Sequence, residues 1–398
     1  MKRVLCLTAL LLSLFFHGTK DAHAVKFEAG EWNFGINGFL DGVYTYMDPM
    51  PMIMDMDVTS MNMMGGMMME QTETRAMAME MDAMSSFDQE HLNLLIGAQK
   101  EKFRININIH SKDNYTSEDG GRGHFEFEEV YGEYSYTDLL KFRVGSMLAP
   151  FGIYNEVRYI TPLFATVVLP QMYEMPMNYD IGTDKINSNF MPSSPSVMMF
   201  GNHLGDTTDI EYFLYISNGQ RGSNGRDENS NKGIGARLRI TFQENYKIGG
   251  SYYTIKNDLF RGSTNFDADD TIIGQENLSG IDAELIFLDE AFKLEGEYVT
   301  DDFAERKDRF SYYVRATYYV KKFSPFVAYD YAEDEANNLY NRGQARTSLG
   351  TGYNFSELIT IKAEYHKHKF NDGDADDVEL KDGTDEFNMF RASVIFVF

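Results

Sequence analysis

A chain of 398 residues with 61 Asp and Glu against 36 Lys and Arg carries a formal charge of -25, which argues against nucleic acid as a partner. One cysteine excludes a disulfide framework. Aromatics at 14%, with 30 Phe, 25 Tyr, 33 Gly and only 9 Pro, suit strands that are half in grease and half in water.

The chain opens with Lys2 and Arg3, an apolar run from Val4 to Phe16, and a small-residue site at Ala22-His23-Ala24. A basic start, a short apolar core and an A-x-A site predict a secretory signal peptide over residues 1–24. The run is too short to span a bilayer as a helix. Cys6 lies inside it rather than just after it, where a lipid-anchored Cys would stand. The exported chain, residues 25–398, then contains no cysteine and draws no stability from disulfides. Past the signal no apolar run reaches the length of a membrane-crossing helix.

From there on, apolar and polar residues alternate in sixteen segments, each about ten residues or slightly more, the length a tilted strand needs to cross a membrane. They run over 31–46, 88–99, 102–111, 124–136, 139–148, 196–204, 207–218, 231–242, 246–256, 277–288, 291–301, 309–320, 323–332, 344–355, 357–369 and 385–398. One clear case sets Phe103, Ile105, Ile107 and Ile109 against Arg104, Asn106, Asn108 and His110. The last segment sets Phe390, Ala392, Val394, Phe396 and Phe398 against Arg391, Ser393, Ile395 and Val397. Segments 196–204 and 246–256 alternate less strictly. A free apolar edge strand at a chain end invites aggregation, whereas a strand that closes a barrel in lipid has no free edge.

Every second connection is short: Lys100-Glu101, Thr137-Asp138, Gly205-Asp206, Gln243-Glu244-Asn245, Asp289-Glu290, Lys321-Lys322 and Ser356. The others are long and polar, the first over 47–87 and the third over 149–195. Short periplasmic turns alternating with long external loops predict an all-β fold, a transmembrane antiparallel β-barrel of about sixteen strands. A soluble sandwich leaves that alternation unexplained.

The signal segment, the terminal aromatic strand ending at Phe398, and Arg143-Val144-Gly145 leading into Ala149-Pro150-Phe151-Gly152-Ile153-Tyr154 resemble the Gram-negative outer-membrane porins. The likeness is greatest to the sixteen-stranded porin-like channels and covers the whole barrel. It implies a passive water-filled channel, a homotrimer, and a third external loop folded inward. The expected place is the outer membrane of a Gram-negative bacterium, among outer-membrane lipid and lipopolysaccharide. The expected partners are small hydrophilic solutes and the barrel-assembly machinery, which would meet the C-terminal strand. The long first loop departs from the pattern.

Charges between the apolar positions belong in the lumen, because Arg or Lys on the lipid face at mid-membrane costs roughly 2–4 kcal/mol. Pore-lining residues are therefore expected at Arg104, Arg143, Arg237, Arg239, Arg315, Glu129, Glu133, Glu211, Glu284 and Glu297. Such a wall sorts solutes by charge in an open passage. The alternative is a closed structural barrel or adhesin held shut by its own ion pairs. Sixteen strands favour the open passage, because barrels of that size leave an aqueous channel. The third loop, with Leu163-Phe164 and Val167-Val168-Leu169, needs cover, and folding into the mouth supplies it; packing on a neighbouring subunit is the alternative. Glu156, Arg158, Glu174 and Asp180 are its candidates for a constriction.

Between Met47 and Met84 inclusive lie fifteen methionines and seven acids, with Arg75 as the one base and neither His nor Cys. Met50, Met52, Met54 and Met56 alternate, as do Met77, Met79 and Met81, with Met63, Met64, Met67, Met68 and Met69 between them. Thioethers are soft ligands suited to Cu(I), so a copper- or silver-binding outer-membrane protein is the alternative function. Met is also a flexible apolar filler, an oxidant sink and a low-complexity residue, readings that need no metal.

No enzyme signature is present. His110 and Ser111 are neighbours on a strand and so point to opposite faces. His366 and His368 share a face and read as a surface pair. Asp372, Asp374, Asp376 and Asp377 with Gly373 suggest weak calcium binding in an external loop but lack the terminal Glu of an EF-hand. The acids of the external loops draw cations to the mouth, which predicts a mild cation preference.

Overall fold

A computed structural model of the protein describes residues 25–64, 67–112, 124–174, 193–218, 231–260, 271–303, 309–334, 343–370 and 386–398. Residues 1–24, and with them the signal segment, lie outside the described residues, as does the acidic run at 372–377.

The first strands are β1 (Val25–Ala29), β2 (Trp32–Met47), β3 (Met50–Met64), β4 (Met67–Met81), β5 (Met84–Lys100), β6 (Phe103–Lys112), β7 (His124–Thr137) and β8 (Leu140–Leu148). After the third loop come β9 (Ser193–Leu204), β10 (Thr208–Asn218), β11 (Lys232–Phe242), β12 (Tyr246–Phe260), β13 (Thr271–Phe287) and β14 (Phe292–Phe303). The chain finishes with β15 (Arg309–Tyr318), β16 (Phe323–Asp334), β17 (Gln344–Asn354), β18 (Ile359–Phe370) and β19 (Glu386–Val397).

Sixteen of these, β2 and β5 to β19, pair antiparallel each with the next, and β19 returns to β2 from Met389↔Met47 to Val397↔Phe39. The sheet is therefore a closed barrel, which removes every free edge. All sixteen expected strands are present, including the two whose alternation is weaker. Strands β5, β12 and β13 extend further toward the long loops than the pattern indicates, because backbone pairing continues there to Phe260↔Thr271 and to Met47↔Met84.

The alternation sorts side chains as a barrel requires. Ile105, Val144, Leu214, Ile216, Ile234, Leu238, Ile248, Val314, Val327 and Leu349 lie on the outer surface, while Asp41, Asn93, Asn108, Arg237, Asp282, Asp330 and Lys362 are buried inside. Aromatic rings line the outer rim beside the short turns, with Phe103 against Tyr134 at 4.7 Å and Phe323 against Tyr353 at 4.7 Å. A second set, Tyr312, Tyr329 and Tyr331, lies nearer the long loops. Two girdles flanking an apolar band mark the two membrane interfaces. The short turns carry left-handed φ at Glu101, Gln243, Glu244, Asp289, Glu290 and Lys321, the geometry that matches strand twist in tight hairpins.

Two features lie beyond the barrel. Strand β1 folds back on β2 through the Gly30 turn, pairing Val25↔Ile36 to Ala29↔Trp32. Strands β3 and β4 form a hairpin inside the first long loop, running from Met50↔Met81 to Met64↔Met67. The pairing of β2 with β5 ends at Met47↔Met84 with the same register, so the hairpin prolongs that ribbon outward.

Candidate functional site

The described part of the third loop, Ala149 to Glu174, lies inside the barrel and defines the site. Its turns are short helical ones at Asn155–Val157, Thr161–Leu163 and Gln171–Glu174. Phe151, Tyr154, Phe164, Leu169, Met172 and Tyr173 form an apolar cluster with Met198, Tyr215, Tyr253, Leu278, Val299 and Tyr313 of the wall. Val167 and Val168 fill a second cluster with Val43, Met47, Phe387 and Met389. Burying these groups is what the apolar loop sequence requires, since it has no other cover in the barrel.

Charged residues of the inner wall hold the loop backbone. Gly152 N–H donates to Ser251 Oγ at 3.1 Å, and Ile153 N–H to Glu297 Oε2 at 3.2 Å. Tyr173 OH donates to Glu297 Oε2 at 2.5 Å and accepts from Tyr154 N–H at 3.0 Å. Tyr154 OH meets both Glu295 and Arg315, and Arg315 also reaches Thr166 Oγ1 at 3.1 Å. Further round, Lys362 Nζ donates to the carbonyls of Thr161 at 2.7 Å and Thr166 at 2.9 Å. Glu364 accepts from the N–H groups of Val167 and Val168. Gln171 N–H donates to Asp330 Oδ1 at 3.3 Å, while Arg346 bridges Asp330 at 3.0 Å and the Leu169 carbonyl at 2.5 Å. Buried charges need such partners, and here the loop backbone supplies them.

Gly152 shows how closely the loop approaches. Its φ is +64°, and a Cβ there would fall 1.8 Å from Glu297 Oε1. Only glycine fits both the backbone and the space.

The loop's polar anchors come from β12 to β18, and Glu295, Glu297, Arg315, Lys362 and Glu364 there are buried. Charges nearer the short turns are more open. Side chains of Glu156, Arg239, Glu211 and Lys247 keep 38%, 32%, 31% and 30% exposure, against 5% for Arg315 and 0% for Glu364. These more accessible charges sit on the loop at Glu156 and on β10 to β12, toward the short turns, where Lys293 of β14 keeps 22% exposure and Arg104 of β6 is exposed as well. Arg143 stands at their border, 3.1 Å from Glu133 and 3.8 Å from Glu156, its guanidinium 4.3 Å over the ring of Tyr131. Partial desolvation by the surrounding wall raises the Glu156 carboxyl above its ordinary value, opposed by the nearby Arg143, Arg237 and Arg239. Burial also pushes the Tyr159 phenol up to about 12.

The residues singled out from sequence separate into these two groups. Arg239 and Glu211 are the open ones, while Arg143 and Glu133 keep only 14% and 10% exposure; Glu129 accepts from Leu148 N–H at 3.2 Å at the loop's root. Arg237 is buried against Asp282 at 3.1 Å, and Glu284 faces Lys293 at 2.6 Å. Arg315 and Glu297 are covered by the loop. Arg104 is exposed near the short turns, opposite Glu133 in register. Glu156 keeps 38% exposure on the loop and Arg158 is buried, its guanidinium 4.9 Å over the ring of Tyr159. Glu174 ends the last helical turn, and Asp180 lies outside the described residues.

The histidines correct one expectation. His366 and His368 are buried, not a surface pair. His366 meets Glu364 at 3.0 Å and Ser348 at 2.8 Å, and His368 stacks on Phe387 at 4.3 Å. Their strand parity places them inside, and the loop's Val167 and Val168 close over that part of the lumen. His110 meets His91 at 3.0 Å and lies 5.1 Å from the ring of Tyr159. Sequence reading passed over Lys362 and Glu364 as anchors. Their alternation marked them as inward-facing, but nothing local shows that they meet the loop backbone.

No protein-family model matches the chain, and no curated protein is similar to it in sequence. Solved structures are similar in fold. The anion-selective porin from Comamonas acidovorans superposes with a TM-score of 0.60 at 13% identity, over 92% of this chain and 100% of that one. The outer-membrane expressed OmpT of Vibrio cholerae gives 0.55 at 12% identity, over 94% and 100%. The outer membrane channel DcaP of Acinetobacter baumannii gives 0.52 at 13% identity, over 94% and 99%. At these identities the likeness speaks for the architecture alone, and in that architecture the chain is a closed sixteen-stranded antiparallel β-barrel of the porin-like fold.

Proposed function

We propose that the protein is an outer-membrane channel for passive diffusion of small hydrophilic solutes, exported through a cleaved signal at residues 1–24. The observation that carries this reading is the one-sided fastening of the third loop. Among the described residues the charged side chains that hold its backbone lie from β14 to β18, while Glu156 on the loop and Glu211, Arg239 and Lys247 of β10 to β12 keep contact with water. A passage bounded by Glu156 on the loop and by Arg143, Glu211, Arg239 and Lys247 on the wall follows from that division. No bond is made or broken in such transport; width and wall charge set selectivity. The acidic external loops favour cations at the mouth, giving a mild cation preference. The fold neighbours support the channel class, and one of them is named as anion-selective.

Planar-bilayer recording of the purified protein tests both parts. Stepwise conductance is expected, with a reversal potential of cation sign in a salt gradient. Absence of any conductance would establish the closed structural barrel instead, with the loop as its seal. An anion-sign reversal would retain the channel and remove the cation preference.

A further inference from the structure

The β3–β4 ribbon divides its residues unevenly between its faces. Directly opposed residues of an antiparallel pair share a face, and successive residues of a strand alternate. The register sets Met50, Met52 and Met54 opposite Met81, Met79 and Met77, three consecutive methionine pairs on one face. The same face carries Met56 opposite Arg75, Met69 opposite Asn62, and the pair Met64↔Met67 at the tip. That makes five methionines from each strand, ten of the thirteen between residues 50 and 81. Four of the five acids in that stretch, Asp55, Asp57, Glu70 and Glu80, fall on the opposite face, with Met61 and the pair Met63↔Met68. The methionine face has one acid, Glu73, and neither His nor Cys.

A sheet face needing only apolar cover is served by Val, Ile or Leu, which have higher strand preference or better-defined rotamers. What Met adds is a thioether sulfur on a flexible unbranched stem. Cross-strand Cβ atoms lie about 4.5–5.5 Å apart and successive same-face positions about 7 Å apart, so three paired rungs concentrate six such stems in a short span. Soft, neutral sulfur donors without thiols select soft monovalent ions and discriminate against Zn, Ca and Mg.

We propose that this methionine face is a binding site for soft monovalent metal ions, Cu(I) and its analogue Ag(I). The three pairs nearest the barrel, Met50, Met52, Met54, Met77, Met79 and Met81, are its centre. In the register the next rung outward on this face is Met56 opposite Arg75. The ion enters and leaves as the monovalent species, with no change of oxidation state. The site is independent of the channel: it would stand if the barrel proved closed.

The test uses the full-length protein in detergent. Cu(I) is titrated without oxygen against bicinchoninate, for the wild type, for the six central methionines replaced by Leu, and for Met61, Met63 and Met68 replaced by Leu. The wild type and the opposite-face variant are expected to withdraw Cu(I) from the indicator. The six-Leu variant is expected to bind at least tenfold more weakly while keeping the heat-modifiable migration of an intact barrel. A wild type that leaves the indicator complex untouched, or a six-Leu variant that binds as the wild type does, overturns the proposal. Equal loss in both variants does so too. A measurement without substitutions covers poor folding of the variants: Ag(I) should slow peroxide oxidation of the six central methionines selectively, read by peptide mass spectrometry. Uniform protection, or none, counts against the site.

Discussion

Gly38 and Phe398 exchange two backbone hydrogen bonds, from Gly38 N–H to the Phe398 carbonyl at 2.8 Å and from Phe398 N–H to the Gly38 carbonyl at 2.9 Å. The last residue of the chain thus completes the seam between β19 and β2, and its ring covers Gly38. A Cβ at Gly38 would fall 2.5 Å from two ring atoms of Phe398 and 2.9 Å from the Asn93 carbonyl.

Gly38→Val is therefore expected to impair closure, whereas Gly42→Val, where a Cβ meets nothing within 4 Å, is not. Heat-modifiable migration on gels reports the closed barrel. Equal yields of the folded form for the two variants would contradict the seam's dependence on Gly38.

Removing an anchor should loosen the loop. Glu364→Ala leaves the buried N–H groups of Val167 and Val168 without acceptors, each at about 1–3 kcal/mol. It also strips Lys362 of a nearby opposite charge. The barrel's own ladder is untouched, so the expected result is a folded channel with larger, noisier conductance. Unchanged single-channel conductance would show that this part of the loop does not bound the passage.

Acidification should alter selectivity through Glu156. Its folded carboxyl binds a proton more readily than in the unfolded chain, so it neutralises above the ordinary value of 4.5. As pH falls through that window the passage loses a negative charge beside Arg143, and the reversal potential should move toward anions. The sign for stability is the opposite of a salt-bridged carboxylate: the folded state holds the proton more tightly, so this residue's protonation favours folding as pH falls. Glu156→Gln should abolish that part of the selectivity shift and leave barrel stability intact in acid. A shift of the same size in the variant would assign it elsewhere.

Arg239 pairs with Glu211 on the open side and remains about one-third exposed. Arg239→Gln should turn the reversal potential toward cations and change stability by no more than about 1 kcal/mol, the ordinary worth of an exposed pair. Selectivity that stays at the wild-type value would move the passage away from β10 and β11.

Deleting residues 50–81 should leave conductance and heat-modifiability near those of the intact protein. The ribbon's ladder is its own, paired only between β3 and β4, and the barrel seam at Met47↔Met84 closes beneath it. Loss of folding would show that the ribbon contributes to assembly.

Strand period and loop length determined much by themselves. Sixteen spans, their antiparallel order, the closed seam at Phe398 and the inward parity of residues such as Arg237, Glu284 and Lys362 all follow from a repeat of two, because a strand side chain has only two faces to choose between. The stretch Met50–Met81 reads from sequence as a long loop, because its composition is of low complexity, and the structure pairs it as a hairpin along the alternation of Met50, Met52, Met54 and Met56. The tertiary structure alone decided what the lumen does with its charges. Whether Arg315, Lys362 and Glu364 face water or a folded loop depends on where the backbone of Thr161, Thr166 and Val167 comes to rest. That position is fixed by burial of Phe151, Tyr154 and Phe164 against residues from distant strands. No local pattern encodes contacts spanning 150 to 200 residues, which is why His366 and His368 read as a surface pair and prove to be buried.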